Sequence, residues 1–205
     1  MDLPPPQLDR SLALADALAQ RRTIREIRDT PLTPATISNL LWAACGVNRA
    51  DGPFGLPGRT VASASNSQEI ELYVALADGV YRYDAVPHRL QLVRAGDARF
   101  AALNPHQGPS RAPVQLVFVV DVDRLEHSRG FQEPGLHDPD VQKSYYFVDT
   151  GLIAANVYLF AAATGLACWF HNCDRDALHA LLALGPAQRV LFAQSIGEPA
   201  TPPAP

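Results

Sequence analysis

Arg21-Arg22-Thr23-Ile24-Arg25 gathers three guanidiniums and a hydroxyl into five residues. A guanidinium is a planar fork that meets a phosphate two hydrogen bonds at a time, and a threonine adds a neutral donor. The cluster closes an Ala/Leu-rich segment, Leu12 to Gln20, in which Leu14 pairs with Leu18 and Ala15 with Ala19 at helical spacing. It therefore stands at the mouth of a helix. Two readings fit: an anion site, or a solvated basic helix end of the kind the helix dipole favours in any case. His171-Asn172-Cys173 brings two metal-ligating residue types together, but no second pair follows at a fixed spacing, so no metal is expected. Hydrolase, NTPase and Rossmann dehydrogenase chemistries are set aside, because the chain has no Gly-x-Ser-x-Gly elbow, no P-loop and no Gly-x-Gly-x-x-Gly fingerprint.

The elements that must position these groups read from the spacing. A first helix is expected over Ser11 to Gln20. Thr33-Pro34 supplies an N-cap and an N1 proline for a second, with Ile37, Leu40, Leu41 and Ala44 as its buried face and Gly46 as C-cap. Asn48 to Arg59 is a loop in which Phe54 and Leu56 stand. Ile70 to Leu76 and Val80 to Tyr83 flank Ala77-Asp78-Gly79 as a hairpin, and Arg89 to Val93 follows as a strand. Asp97 to Leu103 reads as a short helix. Val114 to Val120, apolar but for Gln115, suits a central strand covered on both faces. Ser128 to Asp140 reads as a long polar connection. Asp149 to Thr164, ended by Gly165, is apolar nearly all round, so it is expected to be buried, with a subunit interface as one possible setting. A strand over Leu166 to Phe170, a helix over Asp174 to Leu182 and a strand over Val190 to Ile196 complete the chain. The expected class is α+β, a mixed, mostly antiparallel central sheet flanked by helices. Residues 10–199 read as one domain, between a loose Pro-rich N-terminus (1–9) and a Pro-rich tail (200–205).

The 205 residues are 47% hydrophobic and 19% charged, enough apolar material for a core and too much for a disordered chain. The net charge of −4 argues against nucleic-acid binding by bulk electrostatics. Basic residues are almost all arginine, and Lys143 is the one lysine of the sequence. Cys45, Cys168 and Cys173 read as reduced, buried thiols. No run of eighteen apolar residues and no secretory leader is seen, so a cytoplasmic protein without a membrane-spanning helix is expected.

From Leu18 to Pro199 the order of signals resembles the nitroreductase superfamily of FMN-dependent oxidoreductases. Arg21-Arg22-Thr23-Ile24-Arg25 is similar to that family's Arg-x-Ser-x-Arg box, and Ala62-Ser63-Ala64-Ser65-Asn66-Ser67-Gln68 to its Pro-Ser-small-x-Asn-x-Gln loop. Asp149 to Asn156 resembles the start of its long central helix, and Gly165-Leu166 with Ile196-Gly197-Glu198-Pro199 the ends of its last β elements. The resemblance implies a homodimer with FMN at the subunit interface and NAD(P)H as reductant of a small organic acceptor, a nitroaromatic or quinone. It implies that Arg21, Thr23 and Arg25, with Arg22 beside them, hold the FMN phosphate. It further implies that Ser63, Ala64, Ser65, Asn66 and Gln68 approach the ring from the partner subunit. Leu41 to Asn48 and the Glu71-Leu72-Tyr73-Val74 strand resemble the azoline-oxidising dehydrogenases. By that resemblance Lys143 and Tyr145 are candidate catalytic residues, against the alternative of a surface lysine and a core aromatic. A flavin-binding protein without turnover is a further alternative. Phe54, Trp42, Tyr145, Trp169 and Phe170 are candidates to stack on substrate. Four departures stand out: Thr23 in place of Ser, which keeps the hydroxyl, Ala62 in place of Pro, Glu69-Ile70 in place of Pro-Trp, and no C-terminal basic pair.

Overall fold

The computed structural model describes residues 1–9, 11, 13–103 and 112–201. Among these, the helices are α1 (Leu14–Gln20), α2 (Pro34–Cys45), α3 (Val122–Glu126), α4 (Pro139–Thr164) and α5 (Arg175–Leu181). The strands are β1 (Val47–Arg49), β2 (Gly58–Arg59), β3 (Ile70–Ala75), β4 (Gly79–Asp84), β5 (Arg89–Ala95), β6 (Val114–Asp121), β7 (Ala167–His171) and β8 (Gln188–Gly197). Six strands form one sheet in the order β5-β4-β3-β6-β8-β7, and every neighbouring pair is antiparallel. The class is α+β with helices on both faces of the sheet.

The continuous apolar run of β6 follows from its place at the centre. Successive side chains of a strand point to opposite faces. Val114, Leu116, Phe118 and Val120 enter one core with Leu72 and Val74 of β3, Leu40 and Leu41 of α2, and Ile153 and Val157 of α4. Val117 and Val119 enter the other, with Tyr73, Ala75, Val190, Leu178 of α5 and Leu182 just after it. A strand buried on both faces has no position left for polar alternation.

Helix α2 is as the sequence implies: Thr33 Oγ1 accepts from the Thr36 amide, Pro34 occupies the first turn, and Ile37, Leu40, Leu41 and Ala44 are buried. Gly46 ends it differently from expectation. Its φ of −69° is open to any residue, and glycine is needed for space, since a Cβ there would fall 2.5 Å from Trp42 Cδ1.

Helix α4 begins ten residues before the expected Asp149. Asp138 caps it, its carboxylate accepting from the Asp140 amide, and Pro139 fills the first position. The Ser128–Asp140 connection is shorter for that reason. Gly165 at φ 70° closes the helix in the left-handed conformation that glycine adopts without penalty. By length and composition α4 could cross a membrane. In this fold it is instead the central helix of the domain, packed on α1, α2 and β7. Its Gln142, Asp149 and Thr150 are buried, and Asn156 Nδ2 donates to the Ala43 and Thr60 carbonyls.

Two further expectations need correction. Residues 97–103 hold a short 3-10 turn, Arg99–Ala102, in place of an α-helix. The proline-bearing N-terminus, expected to be loose, lies along the open edge of β5. The Met1 ammonium donates to the Leu90 carbonyl at 2.7 Å, the Leu3 amide to the His88 carbonyl, and Ser38 Oγ to the Pro4 carbonyl at 2.6 Å. An edge strand offers unpaired backbone groups, and an extended segment can pair with them. The expected start of the first helix falls partly on residues 10 and 12, and most of the tail on 202–205, all outside the described residues.

Candidate active site

The arginine box leaves α1 as extended chain, because the Ile24 amide donates to the Cys168 carbonyl at the start of β7. Further on, the Arg28 amide bonds Glu198 O and the Ala200 amide bonds Glu26 O, lacing the segment to the exit of β8. This backbone pairing frees the side chains. Arg21 lies over the Tyr158 ring at 5.5 Å and Arg25 over the Trp169 ring at 5.9 Å. Thr23 Oγ1 shares a 3.0 Å hydrogen bond with the Tyr158 hydroxyl, which in turn accepts from the Phe170 amide. Arg22, Thr23, Ile24, Arg25, Glu26 and Thr201 line an open cleft of about 400 Å³. Among the described residues, no carboxylate forms an ion pair with Arg21, Arg22 or Arg25. Two exposed cations, Arg22 and Arg25, thus line the cleft without an ion pair among the described residues, and a third, Arg21, stands next to them over the Tyr158 ring.

The second expected segment, Ser63 to Gln68, is a tight loop. Ser65, Asn66 and Gln68 have φ of 50°, 52° and 53°. Each left-handed non-glycine residue costs on the order of 1 kcal/mol, and such strain persists only where the surroundings hold it. Here the Asn66 amide bonds Ser63 O, the Gln68 amide bonds Ser63 Oγ, and the Ala64 amide donates to Asp149 Oδ2 at 2.8 Å. Gln68 does not present a free amide edge. Its Oε1 accepts from Arg59 Nε at 2.7 Å and its Nε2 donates to Pro57 O and Asn66 Oδ1, so it pins the loop to β2. Asn66 Nδ2 likewise donates to Pro53 O. Ser63, Ala64 and Ser65 remain as the small, half-exposed part of the loop.

Beneath the loop lie two carboxyls that residue types and spacing did not single out as a site. Glu69 is fully buried and accepts from Ser67 Oγ at 2.6 Å, and Asp149, also buried, is within hydrogen-bonding reach of it. Burial, with the neighbouring Asp149 charge, pushes Glu69 up to about 7. Burial raises Asp149 as well, opposed by the Ala64 amide. The two face a cavity of about 170 Å³ behind the loop.

Helix α4 separates the arginine box from the loop. Asp149 touches the loop and Tyr158 the box. Nine residues at 1.5 Å each place them about 14 Å apart along the axis, and at 3.6 residues per turn on opposite sides of the helix. Asn156, on Asp149's side, reaches Ala43 and Thr60. One chain does not bring the two expected cofactor segments together.

Lys143 and Tyr145 are not brought together either. Two residues apart on a helix, they point to different sides. Lys143 is exposed without an ion pair among the described residues, whereas Tyr145 packs edge-on against Phe131 at 5.6 Å. Of the aromatics suggested to stack on substrate, Phe54 is exposed and Trp169 supports Arg25. Trp42 is tied to Val47 O, and Phe170 packs between Phe118 and Phe192. Both ring nitrogens of His171 are engaged, by Asn172 O and Ser195 Oγ.

This geometry coincides with a known family. The nitroreductase family model matches residues 18–198, and the chain belongs to that family; it is an oxidoreductase of nitroreductase type. A Methanocaldococcus jannaschii protein provisionally named a nitroreductase is 31% identical over 181 residues, 81% of each chain. The crystal structure of a protein from Ralstonia eutropha, provisionally named likewise, superposes with a TM-score of 0.85 at 33% identity, covering 97% of this chain and 89% of that one. The NADPH:FMN oxidoreductase of Vibrio harveyi, complexed with NAD+, shares the fold at a TM-score of 0.60 and 20% identity, over 93% of this chain and 70% of that one.

Proposed function

We propose that this chain is an FMN-dependent oxidoreductase, passing reducing equivalents from NAD(P)H to a small organic acceptor such as a nitroaromatic or a quinone. It works as a homodimer with the flavin between two subunits. The observation that carries the reading is the arginine cleft, where the Arg22 and Arg25 guanidiniums and Thr23 converge, with Arg21 beside them over the Tyr158 ring. Glu26 also lines the cleft, but among the described residues no carboxylate forms an ion pair with any of the three arginines. Its donor set suits a phosphate monoester, which carries nearly two charges at neutral pH. Arg21 and Arg25 would take the phosphate, with Arg22 adding charge and the Thr23 hydroxyl a neutral donor. Bound FMN would supply the hydride and electron transfer that amino-acid side chains do not provide. Ser63 to Ser65 offer backbone and small side chains that let a flat ring come close, and Gln68 and Asn66 serve them by holding the turn.

The dimer is supported by the division of the site across α4. Val148 is 60% and Leu152 41% exposed on a stripe that also includes exposed Ala155, a quarter turn from each half-site. A second copy packed on that stripe would set its own loop beside this chain's arginines, and the stripe would be covered. Lys143 and Tyr145, on different sides of α4, give no support to a paired acid–base role. Three unpaired thiols, Cys45, Cys168 and Cys173, suit the reducing cytoplasm.

A fluorescence titration of FMN into the protein, followed by NADPH or NADH consumption in the presence of a nitroaromatic or quinone, tests the reading. Saturable binding at one FMN per chain with acceptor-dependent nicotinamide oxidation is expected. Stoichiometric binding with no oxidation would leave a flavin carrier and refute the enzymatic assignment.

A further inference from the structure

The carboxyl pair under the 62–68 loop has a hydrogen-bond count that closes in only one protonation state. Ser67 Oγ donates to Glu69 Oε2, and the Ala64 amide donates to Asp149 Oδ2. Glu69 Oε1 is buried with no donor beside it, although its neighbour is another carboxyl. A buried carboxylate oxygen without a donor is costly, and two buried carboxylates in contact are costlier still. A proton on Glu69 Oε1 donated to Asp149 removes both penalties.

The cations around the same cavity do not provide an alternative. Arg82 and Arg124 of β4 and α3 bond Glu71 on β3, and Arg59 of β2 is spent on Gln68 Oε1 and the Cys45 carbonyl. Asp84 of β4 accepts from Gln91 and Arg89. Tyr83 of β4 shares its hydroxyl with His88, and burial keeps Cys45 of α2 neutral.

We propose that Glu69 and Asp149 share a single proton, and that this carboxylic acid–carboxylate pair is the positioning device that holds the strained loop in the conformation its ligand requires. Both partners grip the loop, one at the Ala64 amide and one at the Ser67 hydroxyl, on either side of the left-handed residues Ser65 and Asn66. Loss of the proton to water puts two negative charges in contact, and the grip at Ala64 and Ser67 loosens. The role toward the cofactor rests on the FMN reading; the shared proton does not.

The sign follows from where the proton sits. Glu69 binds its proton more tightly folded than unfolded, so the stabilisation is complete below about pH 4.5 and is lost as pH rises through about 7. Between about pH 5 and pH 8 the folding equilibrium constant should fall on the order of tenfold to a hundredfold through this group.

Glu69→Gln is the informative variant, since its amide reproduces the donor to Asp149 and the acceptor for Ser67 without a titrating proton. In the full-length protein at neutral pH, infrared spectroscopy should show a protonated-carboxyl stretch that disappears in Glu69→Gln. Wild-type unfolding free energy should decline across the neutral range, while Glu69→Gln should lack that component. Asp149→Asn, which removes the adjacent charge, should move the wild-type transition to lower pH and serves if the first variant does not fold. A missing protonated carboxyl, or variants as pH-sensitive as the wild type, would overturn the shared proton. FMN affinity, measured above about pH 7 where the ligand's own phosphate has largely titrated, should weaken with pH in the wild type and hold in Glu69→Gln. Equal weakening in both would overturn the positioning role. No FMN binding at any pH, with the infrared band present, would instead refute the FMN reading and leave the pair intact.

Discussion

Removing the arginine forks tests the cleft where its energetics are simplest. Among the described residues Arg21 and Arg25 form no ion pair with a carboxylate, so alanine at either position removes a cation without leaving a buried charge behind. A hydrogen bond to a charged group contributes about 1.5–3 kcal/mol, and these side chains are exposed, which places each at the low end. At about 1.5 kcal/mol each, Arg21→Ala or Arg25→Ala weakens FMN binding roughly tenfold and the double variant roughly a hundredfold. The fold should survive. What is lost from the free protein is the stacking over Tyr158 and Trp169, about 0.5 kcal/mol per exposed pair. A chain of this size then melts about 2–4 °C lower in the double variant. Quenching of FMN fluorescence gives the affinity and calorimetry the stability. High salt should also weaken wild-type binding, since the contact is ionic and exposed. A double variant that binds FMN as tightly as the wild type refutes the phosphate assignment, and one that unfolds refutes the view that these arginines serve a ligand and not the fold.

Three further perturbations follow from particular contacts. Gly130→Ala would place a Cβ 2.5 Å from Ser65 Cβ and 2.7 Å from Phe54 Cζ, so it should displace the 62–68 loop and weaken FMN binding with the sheet intact; unchanged affinity would show that the loop does not meet the cofactor. Leu152→Glu puts a charge on the exposed stripe of α4 and, if the chain pairs there as proposed, should convert the proposed homodimer to a monomer with lost FMN affinity, read by sedimentation; a wild type that is monomeric at every concentration contradicts the interface. Burial pushes the thiols of Cys45, Cys168 and Cys173 up to about 11, 12 and 11, so a disulfide reagent near neutral pH should label none of them until the protein unfolds, and all three afterwards.

How legible the molecule was in its sequence depends on the range over which each feature is decided. The strands of the sheet announce themselves because burial is written residue by residue: β6 has no polar alternation since both its faces are covered. The arginine box is equally local, five residues whose chemistry stands without neighbours. The start of α4 was missed although Asp138-Pro139 carries the same cap-and-proline signal as Thr33-Pro34, because the apolar stretch from Asp149 onward is stronger than the half-polar turns before it. The same stretch decides how Lys143 and Tyr145 are placed: only with the helix extended back to Pro139 does it show that they leave it on different sides.

The rings under Arg21 and Arg25 come from α4 and β7, 137 and 144 positions further along, and no spacing rule connects them. Glu69 was visible only as a departure from a resemblance, and what gives it meaning is Asp149, eighty residues away and buried against it. Gln68, whose side chain was expected to face a ligand, is consumed by Arg59 and Pro57. A polar side chain reads the same in sequence whether it is offered to a ligand or spent on the turn that carries it.

The most direct test of the central claim is the visible absorption spectrum of the purified protein supplied with FMN, recorded before and after anaerobic addition of NADPH and of NADH. A bound-flavin band that bleaches with one of them and returns with oxygen is the predicted result. A band that neither nucleotide bleaches would contradict nicotinamide-driven turnover, and no band after gel filtration would contradict the flavin site itself.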